Sequence, residues 1–397
     1  MTDFAATKAA FVLPEGVTYL DGNSLGPLPK AVPDRVARAM TREWGERLIR
    51  GWNECGWMAA PTALGDRVGR LIGAPAGTTV LGDTLSVKVY QALASALEMR
   101  PDRRIVLSDT GNFPSDLYMA EGLIRSLGRG HELRLVAPDE VAGAIDDDLA
   151  VLLLTECDYR TGRRHDMRAL TARAHAEGAL TIWDLAHSAG AIPVDVAAAG
   201  ADFAVGCTYK YLNGGPGAPA FIHVAERHGD HARPALSGWL GHEAPFDFDL
   251  DYRPGQGIER MRVGTPPILQ LAALEAALDV WDGVDMTALD TRRAALTDRL
   301  IERVEALCAD VTLASPRDAS LRGSQVSFHH SDAYAVMQAL IARGVIGDFR
   351  APDILRFGIA PLYNDEADVD RAARTLADIL SSRAYDAPEF AARKAVT

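Results

Sequence analysis

The chain has 397 residues, of which 48% are hydrophobic and 24% are charged, and its formal net charge at pH 7 is −13. This length and composition are typical of a soluble globular protein with one large and one smaller domain. The negative charge argues against nucleic acid and anionic membrane surfaces as partners.

The cysteines and the first residues of the chain indicate its environment. The four cysteines are far apart and form no Cys-x-x-Cys pair, so we expect neither a disulfide framework nor a zinc site, and no metal. The first residues lack the basic and apolar regions of a signal peptide, and no uncharged stretch suits a transmembrane helix. We therefore predict a cytoplasmic protein with no membrane partner.

Residues 51–275 alternate short apolar runs with longer helical patterns. The helical patterns cover 87–98, 115–127 and 167–177. The apolar runs are 104–107, 133–136, 150–154, 179–183, 202–206 and 220–224. This alternation predicts an α/β domain with a mainly parallel sheet and helices on both faces.

The C-terminal part of the chain has a different pattern. A strongly apolar helix at 267–281 is followed by a charged helical stretch at 285–308 and by helices at 332–343 and 365–382. Short strands are predicted near Val311, Val326 and Ile354. We therefore expect a smaller α+β domain over 276–397, after a large domain over 51–275.

Two polar clusters follow neighbouring strands of the predicted sheet. The run at 179–183 ends on Asp184, and the run at 202–206 leads to Lys210. Open α/β sheets bind their ligands at the carboxyl ends of parallel strands, so we expect these side chains to meet. A lysine can form a Schiff base with pyridoxal 5'-phosphate (PLP), and a carboxylate can keep its pyridine nitrogen protonated. The pattern predicts a PLP site.

The residues around these two positions resemble a known family. The segments Trp-Asp-Leu-Ala-His-Ser-Ala-Gly at 183–190 and Gly-Cys-Thr-Tyr-Lys-Tyr-Leu-Asn-Gly-Gly-Pro-Gly at 206–217 are similar to those of kynureninases, which are fold-type-I PLP enzymes related to class-V aminotransferases. The resemblance runs from about residue 19 to 380. Its other motifs lie at 19–26, 112–118, 236–239 and 356–358.

The resemblance implies a fold, an activity and an assembly. It implies fold type I, with a large PLP-binding domain and an N-terminal segment, residues 1–50, that packs with the small domain. It implies PLP-dependent hydrolysis of L-kynurenine, or also of 3-hydroxy-L-kynurenine, to anthranilate and L-alanine in tryptophan catabolism. It further implies a homodimer with shared active sites.

Roles for individual residues also follow from the resemblance. Lys210 would form the Schiff base and shuttle protons, Asp184 would pair with the pyridine nitrogen, and Tyr209 would bind the phosphate and act as an acid. Arg356 would grip the substrate carboxylate with two parallel hydrogen bonds, and Trp52, or alternatively Trp57, would lie beside its aryl ring. The remaining cofactor-binding positions would be Leu85, Ser86, Phe113 (stacked on the ring), Pro114, Ser115, Asp116, Thr161, His187, Trp239 and Thr265, the last from the partner subunit.

Two other functions are compatible with the fold. A cysteine desulfurase or selenocysteine lyase would need a nucleophilic cysteine on a mobile loop. Here Phe113 occupies the stacking position, and Cys308 is predicted on a buried helix face, where a thiolate is disfavoured. A PLP-free scaffold would have no need for Lys210, Asp184, Tyr209 and Arg356 together. The choice between kynurenine and its 3-hydroxy derivative stays open, because one hydroxyl contact could decide it.

Overall fold

Apolar runs of the sequence become the strands of the structure. The computed structural model describes residues 2–392, and across them the chain forms thirteen strands and twelve α-helices. The strands are β1 (Thr18–Tyr19), β2 (Thr79–Leu81), β3 (Ile105–Asp109), β4 (Glu132–Val136), β5 (Leu149–Thr155), β6 (Leu180–Asp184), β7 (Phe203–Gly206), β8 (Phe221–Val224), β9 (Thr312–Leu313), β10 (Gln325–His329), β11 (Val345–Ile346), β12 (Asp348–Arg350) and β13 (Ile354–Gly358).

The helices begin and end at residues suited to those positions. Pro114 opens one helix, and Gly128 closes it with a left-handed backbone, φ 59°. The last long helix begins with a capping box between Asp365 and Asp368. The helices are α1 (Phe4–Ala9), α2 (Val32–Arg38), α3 (Gly51–Glu54), α4 (Ala60–Leu71), α5 (Leu85–Glu98), α6 (Pro114–Leu127), α7 (Met167–Ala176), α8 (Val196–Ala199), α9 (Ile268–Leu278), α10 (Met286–Leu307), α11 (Ala333–Ala342) and α12 (Glu366–Ser382).

The large sheet has seven strands in the order β2-β8-β7-β6-β5-β3-β4. Five neighbouring strands, from β7 to β4, pair in parallel, whereas β8 is antiparallel to both of its neighbours. The edge strand β2 was missed by the sequence prediction because its three residues, of which two are apolar, are too short a run to identify. The predicted mainly parallel α/β fold is confirmed.

Both faces of this sheet are buried along its central strands. Along β5, Leu152 and Leu154 pack into one apolar cluster with side chains of α4, α7 and α9. The alternate residues Val151 and Leu153 pack into a second cluster with α5 and α6. Because successive strand residues point to opposite faces, a strand covered on both sides has to be apolar throughout, and β5 is.

The C-terminal part forms a separate antiparallel sheet, in the order β12-β13-β10-β9. Its core includes side chains of α10, α11 and α12. The beginning of the chain is attached here, since β1 pairs in parallel with β11 and Lys8 bridges Asp365 and Asp368 at 2.7 Å each. The division into residues 1–50, 51–275 and 276–397 stays our proposal for the domains.

The environment of His165 departs from the sequence prediction. The polar run at 163–166 predicts a solvated loop around His165, but this side chain is only 6% exposed, and its Nε2 lies 2.6 Å from Asp109 Oδ2. That expectation was wrong because the polar segment around His165 folds back against the end of β3.

Within residues 2–392, no helix combines the length and the apolar character needed to cross a bilayer.

A buried carboxylate anchors the amino-terminal edge of the large sheet. Asp202, 1% exposed, precedes β7 and accepts hydrogen bonds from Thr181 N at 2.8 Å and from Arg227 Nη2 at 2.6 Å. Its oxygens also lie 2.8 Å from His175 Nε2 and 2.7 Å from His228 Nε2. Burial alone would raise the pKa of Asp202, but the hydrogen bonds from the two histidines outweigh it and lower that pKa below its usual range.

We predict that Asp202→Asn lowers the free energy of unfolding by about 3 kcal/mol at pH 7, because it leaves buried donors facing a neutral amide. The charge stabilises the fold above the unfolded-state pKa of about 4, and this contribution disappears as pH falls toward the lower folded-state pKa. Urea unfolding should therefore show a smaller difference in the free energy of unfolding between the wild type and Asp202→Asn at pH 3 than at pH 7. The matched control is Asp148→Asn, at an exposed position. If Asp202→Asn lowered the free energy of unfolding no more than Asp148→Asn does, the prediction would be contradicted.

Candidate active site

The two polar clusters predicted from the sequence meet at the carboxyl edge of the large sheet. Asp184 is the last residue of β6, and β6 pairs in parallel with β7, whose chain continues to Lys210. A cavity of about 190 Å³ opens here. It is lined by Asn23, Ser24, Leu85, Phe113, Thr155, Tyr159, Asp184, Ala186, His187, Tyr209, Lys210, Arg350 and Arg356.

Asp184 forms a buried pair with a second carboxyl group. Its Oδ1 accepts a hydrogen bond from Ala186 N at 2.8 Å, and its Oδ2 lies 3.4 Å from the hydroxyl of Thr155. Burial raises the pKa of Asp184, with Lys210 acting in the opposite direction. Burial and the neighbouring Asp184 carboxylate raise the pKa of Asp116 well above its usual range. Asp116 therefore holds the shared proton, and Asp184 carries the charge.

Lys210 contacts a neutral histidine. Its Nζ lies 3.0 Å from His187 Nε2, and His187 Nδ1 lies 3.1 Å from Gln325 Oε1. Burial, followed by the charge of Lys210, lowers the pKa of His187 well below its usual range. The neutral ring donates from Nδ1 to Gln325 and accepts at Nε2 from the lysine, since these partners fix the tautomer.

Two helices begin beside the cavity. Leu85 opens α5 and Phe113 precedes α6, and the residues at both helix caps, Thr84 and Phe113, make no side-chain hydrogen bond to the first turn. The first-turn hydroxyls of Ser86 and Ser115 lie 2.9 Å apart. Amides and hydroxyls at helix N-termini favour an anion such as phosphate.

Aromatic side chains border the cavity. The Phe113 ring, 42% exposed, packs edge-on against Tyr159, and Lys210 Nζ lies 5.9 Å from the ring centroids of Phe113 and Tyr209. Burial, followed by the neighbouring Cys207, raises the pKa of Tyr209 well above its usual range. Tyr209 therefore stays protonated at neutral pH and is available as a proton donor.

Arg356 reaches the cavity from β13. Asp348, directly opposite on β12, accepts hydrogen bonds from Nε at 2.6 Å and from Nη2. Ser24 Oγ accepts from Nη2 at 2.9 Å, and the carbonyl of Tyr159 accepts from Nη1. These four contacts occupy four of the five N–H groups of a guanidinium. The fork through Nε and Nη2 that could bind a substrate carboxylate bonds to Asp348 instead.

Eight residues predicted for the site do not line this cavity within the described chain. Four of them, Ser86, Pro114, Ser115 and Asp116, lie in the first turns of α5 and α6 beside it. The other four are Trp52, Thr161, Trp239 and Thr265. Trp52 packs edge-on against Trp57, with ring centroids 5.6 Å apart. The backbone of Thr161 bonds to Asp158 and Ser315. The other two, Trp239 and Thr265, are exposed.

Several lining residues were missed by the sequence analysis. Thr155 ends the apolar strand β5 just as Asp184 ends β6, so the same strand-end argument could have found it. Ser24 and Tyr159 carried no such signal, because they come from distant parts of the chain that only the folded structure brings to the cavity. Arg350, which the sequence offers as the next candidate after Arg356 for the substrate carboxylate, also lines the cavity.

Comparisons with known proteins agree with this geometry. Residues 289–376 match the family model of the kynureninase C-terminal domain. The chain is 50% identical to kynureninases of Burkholderia pseudomallei strain K96243 and Pseudomonas fluorescens, over 99% of this chain and 96% of each relative.

Solved structures share the fold at low identity. A cysteine desulfurase from Thermococcus onnurineus NA1 matches with TM-score 0.77 and 21% identity over 96% of this chain and 99% of its own. A variant of C-DES with glycine covalently linked to its PLP cofactor matches with TM-score 0.80 and 16% identity, over 95% and 100% of the two chains. The fold is thus that of fold-type-I PLP enzymes, and by its full-length 50% identity the chain belongs to the kynureninase family.

Proposed function

We propose that this chain uses PLP to hydrolyse L-kynurenine to anthranilate and L-alanine, with 3-hydroxy-L-kynurenine as a second candidate substrate. The observation that carries the proposal is the meeting of Asp184, His187, Lys210 and Arg356 at one cavity, in a chain 50% identical to kynureninases over nearly its whole length. The cytoplasmic location stays a prediction.

The residues around the cavity fit PLP. Asp184 is a buried carboxylate that a pyridinium nitrogen would neutralise, and Asp116 Oδ2 is buried with no hydrogen-bond partner among the described residues. The Ser86 and Ser115 hydroxyls suit the phosphate, and the open Phe113 ring can stack on the pyridine. When bound, PLP withdraws electrons from the carbon next to the substrate amine.

The residues of the cavity can move the required protons. Lys210 Nζ would remove the proton from the substrate α-carbon, while His187 Nε2, 3.0 Å away, accepts a hydrogen bond from Nζ and orients it. The hydroxyl of Tyr209, kept protonated by burial, would deliver a proton to the β-carbon when the Cβ–Cγ bond breaks. Arg356 would hold the α-carboxylate and so fix the orientation of the substrate.

A cysteine-dependent reaction is less well supported. Cys308 is buried just after α10, and burial, with Asp310 nearby, raises the pKa of its thiol to about 11. A thiol with this pKa is protonated at neutral pH and is a poor nucleophile. The aromatic Phe113 lies at the cavity.

The proposed function is tested first with Lys210→Ala. We expect the wild-type protein to release anthranilate from kynurenine, and the variant to lose essentially all turnover and the visible absorbance of lysine-bound PLP. Anthranilate fluorescence and absorption spectra would measure both, with 3-hydroxykynurenine assayed in parallel. Lys88 cannot replace Lys210, because its Nζ is buried between Asp83, Gln91 and Met261 O. A Lys210→Ala variant that kept both the turnover and the visible absorbance would show that Lys210 does not bind the cofactor.

The role of Asp184 is tested by separating rate from binding. In Asp184→Asn we expect kcat to fall by about 100-fold or more, because the charge opposite the pyridine nitrogen is lost. The affinity for PLP should fall only about 10-fold, since the other contacts remain. Kinetics and PLP titration of the same preparation would measure the two changes. Equal losses would mean that Asp184 only anchors the ring.

We further propose a homodimer with shared active sites. Trp239 and Thr265 correspond to cofactor-contact positions but lie outside the cavity of their own chain, so a partner subunit would have to supply them. Trp239 is 41% exposed and belongs to an unusually apolar exposed stretch. The other exposed apolar residues of this stretch are Leu236, Phe246, Phe248, Leu250 and Tyr252. An exposed apolar surface of this kind suits a subunit interface.

Hybrid dimers test this assembly. If Lys210→Ala and Trp239→Ala subunits are mixed equally, half of the dimers are hybrids, and each hybrid holds one site free of both lesions. The mixture should recover about a quarter of wild-type activity, as measured by kynurenine turnover after subunit exchange. Each variant alone at the same total concentration is the control. A mixture no more active than its parents would contradict site sharing.

A further inference from the structure

The cavity contains a second guanidinium, that of Arg350. Arg350 ends β12 two residues after Asp348, so both side chains point to the same face of the small sheet. Asp348 faces Arg356 across the strand pair, which places the carboxylate between the two arginines. Asp348 Oδ2 lies 2.7 Å from Arg350 Nη2 and also contacts Arg356.

The cluster of Asp348, Arg350 and Arg356 carries a net positive charge. Asp348 and Arg356 are each 1% exposed, and a single Asp348 carboxylate serves both guanidiniums. Asp21 is a second nearby acid. Burial, followed by the Asp348 charge, raises the pKa of Asp21 to about 7, so this carboxyl group is only partly ionised at neutral pH. Two arginines against one fully ionised carboxylate can accept an anion.

The free donors of the cluster lie mainly on Arg350. Arg356 has four of its N–H groups engaged, by Asp348, Ser24 and Tyr159. Arg350 donates from Nη2 to Ser24 Oγ at 3.3 Å, whereas its buried Nε has no hydrogen-bond partner among the described residues. A buried charged donor without a partner is costly, and an anion in the cavity would satisfy it.

We propose that Arg350 is a second substrate-binding residue, which holds the α-carboxylate together with the remaining Nη1 donor of Arg356. The inference rests on the proposed function. Asp348 is a positioning residue, because it fixes both guanidiniums and takes the Nε–Nη2 edge of Arg356 that could otherwise bind the substrate on its own. The substrate α-carboxylate would then be held by two arginine side chains rather than by the Nε and Nη2 donors of one.

The test uses Arg350→Gln holoenzyme and two ligands that differ in one group. L-Kynurenine has the α-carboxylate, and kynurenamine, its decarboxylated analogue, lacks it. We expect KM for kynurenine to rise about 10- to 100-fold, the effect of losing one charged hydrogen bond, with a much smaller change in kcat. The inhibition constant of kynurenamine should be unchanged. Arg350→Lys, which keeps the charge but loses the planar donors, should give an intermediate KM.

The outcomes separate this inference from the proposed function. An unchanged KM in Arg350→Gln, or a kynurenamine inhibition constant that rises in parallel with KM, would overturn the role of Arg350, because a merely structural residue affects both ligands alike. PLP absorbance and thermal unfolding show whether the variant is folded; if Gln fails to fold, the same two-ligand comparison on Arg350→Lys decides. Failure of the wild-type protein to hydrolyse kynurenine would overturn the proposed function itself.

Discussion

Burial of ionisable groups at the carboxyl edge of parallel strands is the constraint on which the site depends. Asp116, Asp184, His187 and Lys210 are held together where water cannot fully solvate them, and charges in such places must be shared or neutralised. Here Asp116 retains a proton, Asp184 is charged beside the cation of Lys210, and His187 is neutral. This arrangement prepares the cavity for a ligand that brings its own positive nitrogen and negative phosphate.

The two sheets contribute different parts of the site. The large sheet and its helices supply the lysine, the acid pair and the two helix N-termini, all at one edge. The small sheet supplies Arg350 and Arg356, and it is tied to the large one by polar contacts such as Gln325 with His187 and Arg356 with Tyr159. The orientation of the arginines therefore depends on how the small sheet packs, and so does the substrate binding that we propose for them.

A shared fold does not decide the reaction. Structures with 16% and 21% identity, a C-DES variant and a cysteine desulfurase among them, superpose on this chain over almost its whole length. What differs is local: the aromatic Phe113 lies at the cavity, and Cys308 is buried with a raised thiol pKa. Function has to be argued from such side chains, because the same scaffold supports different chemistry.

The sequence by itself determined the parallel sheet and the acid–lysine pair, because apolar runs and the polar residues that follow them are local signals that do not depend on distant parts of the chain. The missed strand β2 was too short to give such a signal, and His165 proved buried because it folds against Asp109, far away in the chain. Only the tertiary structure placed Ser24 and Tyr159 at the cavity, brought Gln325 to His187 and turned the Arg356 fork toward Asp348. Those contacts join residues separated by more than a hundred positions or depend on strand register, and no local pattern encodes which distant donors and acceptors will meet.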